Sequence, residues 1–118
     1  MAVKRSPRTE AVVKADIDFD SLKHKDAESV KVSMLTHLKY SLAKDQYSAT
    51  KLDVFNGLAM TLRDFLFERW IETQQTYYNK GAKRVYYLSL EFLMGRTLTN
   101  TIINLGMHDV ISKAVSEL

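Results

Sequence analysis

Glu91 is the residue of this 118-residue chain whose type and setting most invite chemistry. It lies in the run Tyr86-Tyr87-Leu88-Ser89-Leu90-Glu91-Phe92-Leu93-Met94-Gly95, directly after an apolar stretch. A carboxylate that follows an apolar strand stands at the C-terminal edge of a sheet, where α/β proteins build ligand sites. The same residue would equally serve as half of a buried ion pair with Arg96. Gly95 would cap a turn there or admit backbone close to a ligand. A second group is Gln74, Gln75, Tyr77 and Tyr78. Tyr78 follows Gln74 by four residues and Gln75 by three, so on a helix the three share one surface. A flat ring beside amide donors and acceptors can stack a nucleobase and read its edge; it can equally be an amphipathic helix end at a subunit contact. His24, His37 and His108 show no metal-ligand spacing, and no metal site is expected. There is no phosphate-binding glycine loop and no nucleophile elbow. With no cysteine, thiolate zinc, disulfides and cysteine nucleophiles are excluded.

These residues must be positioned by helices. From Val30 the apolar residues Met34, Leu35, Leu38 and Leu42 recur at spacings of three and four, which predicts an amphipathic helix ending near Lys44. The polar run from Asp45 to Thr50 reads as a loop, taken with its flank as 43–50. Thr50 is placed to cap the next helix, with Asp53 adding favourable charge in its first turn. That helix is long. Phe55, Leu58, Ala59, Leu62, Phe65 and Leu66 trace one stripe, and no proline intervenes before Asn79-Lys80-Gly81, a C-terminal stop. The helix body is set at 51–78, and at 1.5 Å per residue its roughly 40 Å exceeds a compact domain of this size. Residues 84–88 are apolar or aromatic on both faces, the pattern of an interior strand, yet no second strand is found to pair with it. Short helices are expected near 97–105 and 109–118. Residues 1–28 alternate charge and small apolar residues without periodicity and read as a flexible arm ahead of one incomplete domain, 29–118.

Composition bounds the rest. At 46% hydrophobic and 26% charged the chain is not compositionally disordered. No apolar run approaches the length of a membrane span. A net charge of +3 is too small to predict a nucleic-acid partner, in spite of the basic clusters Lys4-Arg5-Arg8 and Lys80-Lys83-Arg84. No signal-peptide stretch opens the chain, and Glu10, Asp16, Asp18 and Asp20 argue against a transit peptide, so a cytoplasmic location is expected.

Two stretches carry a resemblance to a known family. Arg69-Trp70-Ile71-Glu72-Thr73-Gln74-Gln75, and the ungapped run from Arg84 through Leu98, resemble glycogen phosphorylases, and weaker similarity runs back through Lys44-Asp45 to Ala49-Thr50. The resemblance implies the N-terminal portion of a much longer α/β enzyme with two Rossmann-like domains. It implies phosphorolysis of α-1,4-glucan ends by inorganic phosphate to glucose 1-phosphate. Pyridoxal phosphate would be held by a lysine outside this chain, leaving the segment itself mostly α-helical with one interior strand and inactive alone. A free-standing helical dimerisation module derived from such an enzyme is the alternative.

The resemblance also implies site residues. The family's nucleotide (AMP) effector site lies at a homodimer interface, and its residues fall at Gln75 and Tyr78, beside Gln74, with Asp45 contributed by the loop of the partner subunit. Glu91 matches a glutamate at the edge of the catalytic cleft. Leu93 replaces a tyrosine that many members place near the cofactor. Gln46 and Glu72 stand where animal enzymes carry arginines that clamp a phosphoserine, and Ser6 does not reproduce the animal phosphorylation motif. Animal-type activation by phosphorylation is therefore not expected.

Overall fold

The computed structural model describes residues 25–92 and 95–118. Ser6, His24, Leu93 and residues 1–24 of the expected arm lie outside the described residues. Four α-helices follow in order: α1 (Ala27–Thr36), α2 (Lys51–Lys80), α3 (Leu98–Asn104) and α4 (His108–Ser116). A π-helical turn, His37–Ser41, extends α1.

Local chemistry sets each boundary. Asp26 caps α1 by accepting the Ser29 N–H at 2.7 Å, so the helix begins at Ala27, inside the stretch read as arm and before the expected Val30 start. Thr50 and Asp53 form a reciprocal capping box. The Asp53 N–H donates to Thr50 Oγ1 at 3.2 Å, and the Thr50 N–H donates to Asp53 Oδ2 at 2.9 Å. At the far end Gly81 takes the left-handed conformation (φ 59°), which an L side chain resists. Its N–H reaches the Tyr78 carbonyl at 3.2 Å while the Ala82 N–H reaches that of Tyr77 at 3.0 Å, a Schellman stop two residues beyond the expected end.

The core is small and lies at one end. Val30 and Met34 of α1, Leu62 of α2, Ile102 of α3, Leu105 and Met107 of the α3–α4 turn, and Ile111 and Ala114 of α4 are buried together. The sequence stripe is therefore correct at Met34 of α1 and Leu38 of the π turn, whereas Leu35 faces solvent. Gly57 allows α1 and α2 to approach closely, since a Cβ there would stand 3.3 Å from the Met34 carbonyl oxygen and 3.4 Å from Leu38 Cγ. All buried residues of α2 (Gly57, Thr61 and Leu62) fall in its N-terminal half. Beyond them Phe67, Trp70, Ile71, Tyr77 and Tyr78 are exposed. The resulting radius of gyration, 18.3 Å, is well above the roughly 13 Å of a compact 100-residue domain.

The expected strand at 84–88 is not there. The described residues contain no strand, and Val85 and Leu88 are 86% and 93% exposed. The physical reason is the missing ladder: an extended segment becomes a strand only when its N–H and C=O groups find partners, and none of the described residues supplies them.

Candidate functional site

The loop between the π turn and α2 is built around Asp45. The chain leaves the π turn through Ala43, whose φ of 52° turns the backbone sharply, and the Lys44 N–H is held by the Leu38 carbonyl at 2.9 Å. Asp45 Oδ1 then accepts the Tyr47 N–H at 3.2 Å, the Ser48 N–H at 2.8 Å and the Ser48 hydroxyl at 2.5 Å. The Ser48 hydroxyl, then the Ser48 N–H, hold the carboxyl below its ordinary range, in spite of some desolvation. Asp45 is thus ionised and exposed, with one oxygen occupied by its own loop. A ligand hydroxyl would have to be met by Oδ2.

The glutamine–tyrosine patch lies at the other end of α2. Gln75 and Tyr78 are exposed on its last turns, and Gln74 is half-buried. Gln74 faces a shallow groove of about 360 Å³ lined also by Tyr77, Lys83, Arg84, Val85 and Tyr86. The structure therefore pairs Gln74 with Tyr77 in this groove, a grouping that the helical spacing to Tyr78 did not single out. Thr50 and Tyr78 are separated by about 42 Å of helix at 1.5 Å per residue. Asp45 and the patch are not brought together within one chain.

Glu91 is exposed; its N–H donates to the Ser89 hydroxyl at 3.0 Å, and among the described residues no ion pair joins it to Arg96. Arg96 instead lines an open groove of about 640 Å³ with Phe55, Leu62, Arg63, Leu66 and Leu98. Neither arrangement expected for Glu91, a sheet-edge site or a buried pair, is present among the described residues, because the strand meant to carry it has no sheet. No group of three or more histidines, aspartates or glutamates among the described residues could hold a metal. No helix among them is long and apolar enough to cross a membrane.

Sequence reasoning missed one cluster. His37 Nε2 lies 2.8 Å from Asp64 Oδ2, and His37 Nδ1 lies 3.1 Å from Ser41 Oγ. The His37–Ser41 spacing of four was visible. Asp64, far along α2, carried no local signal.

The described residues thus form a mostly helical segment with an exposed aspartate loop ahead of α2 and an aromatic, amide-bearing patch at its far end. Sequence comparison places it further. The chain is similar to the brain form of glycogen phosphorylase from Homo sapiens, at 50% identity over 93 residues, which is 79% of this chain and 11% of that protein. It is 54% identical over 89 residues to the human liver form, covering 75% of this chain and 10% of that protein. With the liver form of Bos taurus the identity is 57% over 82 residues, 70% of this chain and 10% of that protein. No family model matches the chain. Over the residues compared, the chain belongs to the glycogen phosphorylase family. It spans about a tenth of the length of the curated relatives it matches.

Proposed function

We propose that this chain is the N-terminal part of an α-1,4-glucan phosphorylase, contributing a nucleotide effector site and dimer contact to an enzyme whose catalytic residues lie elsewhere. In the full enzyme, inorganic phosphate would cleave α-glucan ends to glucose 1-phosphate within an α/β fold of two Rossmann-like domains, in the cytoplasm. The observation that carries the effector reading is the separation along α2. Asp45 is five residues from Thr50 at the start of α2, whereas Tyr78 lies about 42 Å along that helix from Thr50, so a site using both requires two copies of the chain. In that site Tyr78 would stack the base of AMP, Gln74 and Gln75 would bond its edge, and Asp45 of the second copy would accept a ribose hydroxyl.

Pyridoxal phosphate does not fit the residues at hand. Among the described residues no lysine is buried, and neither groove is lined by an enclosed lysine that could form a Schiff base. The cofactor is assigned to the rest of the enzyme, and no step is derived through it. Glu91 remains a residue of the catalytic edge only in that larger context.

A second reading, a free-standing helical dimerisation module, is favoured by one observation: α1 to α4 share a core of their own. Two measurements test the first reading. The purified 118-residue chain is expected to form no glucose 1-phosphate from glycogen and phosphate, and formation would overturn the assignment of catalysis elsewhere. In the full-length enzyme, AMP is expected to bind, and Tyr78→Ala to weaken that binding at least tenfold. Unchanged AMP binding in Tyr78→Ala would sink the effector site.

A further inference from the structure

The cluster missed by sequence reasoning lies where the effector loop begins. His37 opens the π turn, and its side chain is 13% exposed between Asp64 and Ser41. With Nε2–H donating to Asp64, a neutral ring accepts the Ser41 hydroxyl at Nδ1, and a protonated ring donates to it, so the contacts persist in both states. Asp64 is itself steadied by Arg63, whose guanidinium reaches Oδ1 at 3.3 Å. Carboxylate, imidazole and hydroxyl in this order resemble a hydrolytic triad. Ser41, however, sits one helical turn from His37, and the neighbouring Leu42 N–H is already bonded to the His37 carbonyl at 3.0 Å, so that donor is not offered to an oxyanion.

The cluster stands where the loop departs. The Leu42 N–H hangs from the His37 carbonyl and the Lys44 N–H from that of Leu38, so the position of residues 37 and 38 sets residues 42 to 44 and, through them, Asp45. The loop's other end is fixed on α2 by the Thr50–Asp53 box. Asp64 lies about 21 Å further along the same helix from Thr50. Both ends of the loop are thereby tied to one rigid rod.

We propose that His37 and Asp64 form a clasp that positions the Asp45 loop on α2, which makes them positioning residues of the effector site; the term effector rests on the reading above. The test is amide hydrogen exchange in the isotope-labelled 118-residue chain. In Asp64→Asn and in His37→Gln, exchange at Leu42, Lys44, Tyr47 and Ser48 is expected to rise about tenfold or more, while the core amides of Val30 and Ile111 change less than twofold. Asp64→Glu, which keeps the carboxylate, is expected to recover part of the protection. Loop amides within twofold of the parent in both variants, or an equal rise at loop and core, would overturn the clasp. A parallel AMP titration of the parent chain, followed at the Tyr78 ring and Asp45 signals, bears on the effector site alone: loosened loops without AMP binding would leave the clasp standing and overturn the effector site.

Discussion

Two leucines, Leu62 and Leu88, give the sharpest test of where this chain holds itself together. Both lie in strongly apolar surroundings in the sequence. Leu62 is 2% exposed, packed among Met34, Ile102 and Met107, while Leu88 is 93% exposed. Truncating a fully buried leucine to alanine removes its transfer free energy and leaves a cavity, together about 3 kcal/mol. Removing an exposed one changes stability by about 0.5 kcal/mol or less. With a urea dependence of about 1.5 kcal/mol/M for a protein of this size, Leu62→Ala should lower the unfolding midpoint by roughly 2 M and Leu88→Ala by no more than about 0.3 M. At about 0.05 kcal/mol per residue the whole chain holds roughly 6 kcal/mol, so Leu62→Ala takes half of it. Leu62→Val, a smaller loss at the same place, should fall between the two. The assay is urea unfolding followed by far-UV circular dichroism. Equal shifts for Leu62→Ala and Leu88→Ala would refute the core described above. A loss above about 1 kcal/mol at Leu88 would mean that the 84–88 segment is covered within the folded chain after all.

Other consequences concern the loop and its charges. Thr50→Ala removes the α2 cap and should cost about 1 kcal/mol, read as a lower urea midpoint with added exchange confined to the first turn of α2. Asp45 and Asp53 are held below the ordinary carboxyl range, by the Ser48 hydroxyl and the Thr50 N–H respectively. Their contribution is therefore full above the unfolded value of 3.8 and is lost as pH falls through the lower folded values. Stability should stay level from pH 7 to 5 and drop below 3.8, and Asp45→Asn with Asp53→Asn should flatten that acid limb. Lys31, raised by its bonds to Glu28 and Glu117, contributes below 10.5 and loses that contribution in more alkaline solution; added salt should weaken it, and an insensitive midpoint would count against it. Phosphorylation of the N-terminal arm in the full-length enzyme is expected not to activate it, since Gln46 and Glu72 offer no guanidinium, and activation dependent on those two positions would overturn this.

The helices were legible because their signals are local. Thr50 with Asp53, and Asn79-Lys80-Gly81, state where α2 starts and stops within a few residues of chain, and the structure ends it at Lys80, close to expectation. The apolar spacing of Met34 and Leu38 likewise names the buried face of α1 and its π turn. What failed was everything that depends on a distant partner. Val85 to Leu90 has the composition of an interior strand, but composition cannot supply the neighbouring backbone, and the segment stays exposed. Glu91 was read by its position after that strand, so its expected setting failed with it. Asp26 was overlooked since a cap ahead of a weakly periodic stretch has no stripe to announce it. His37 and Asp64 meet only because Gly57 lets two helices approach, a fact that lies in neither residue's surroundings.

The length of α2 also constrains how such a chain can regulate anything. A helix whose last residue packed on the described core is Phe65 carries about fifteen further residues, about 22 Å, beyond it. Nothing in propensity alone would keep so long an exposed helix ordered with Trp70, Ile71 and Tyr78 facing water. The capped loop at one end is joined to the body through Thr50, Asp53 and the His37–Asp64 contact, whereas the patch at the other end lies beyond the residues of α2 that pack on the described core. If a second copy brings its loop to that patch, a nucleotide held between them bridges the loop of one chain and the end of α2 in the other. Binding there would order the projecting half of α2, and the free energy for that ordering would come from contacts made in both subunits at once. The effect of a nucleotide on this segment should therefore depend on chain concentration: protection of the Gln75 to Tyr78 amides by AMP should grow on going from dilute to concentrated chain. Protection equal at both concentrations, with the chain monomeric throughout, would place the nucleotide on a single copy and dissolve the two-chain site.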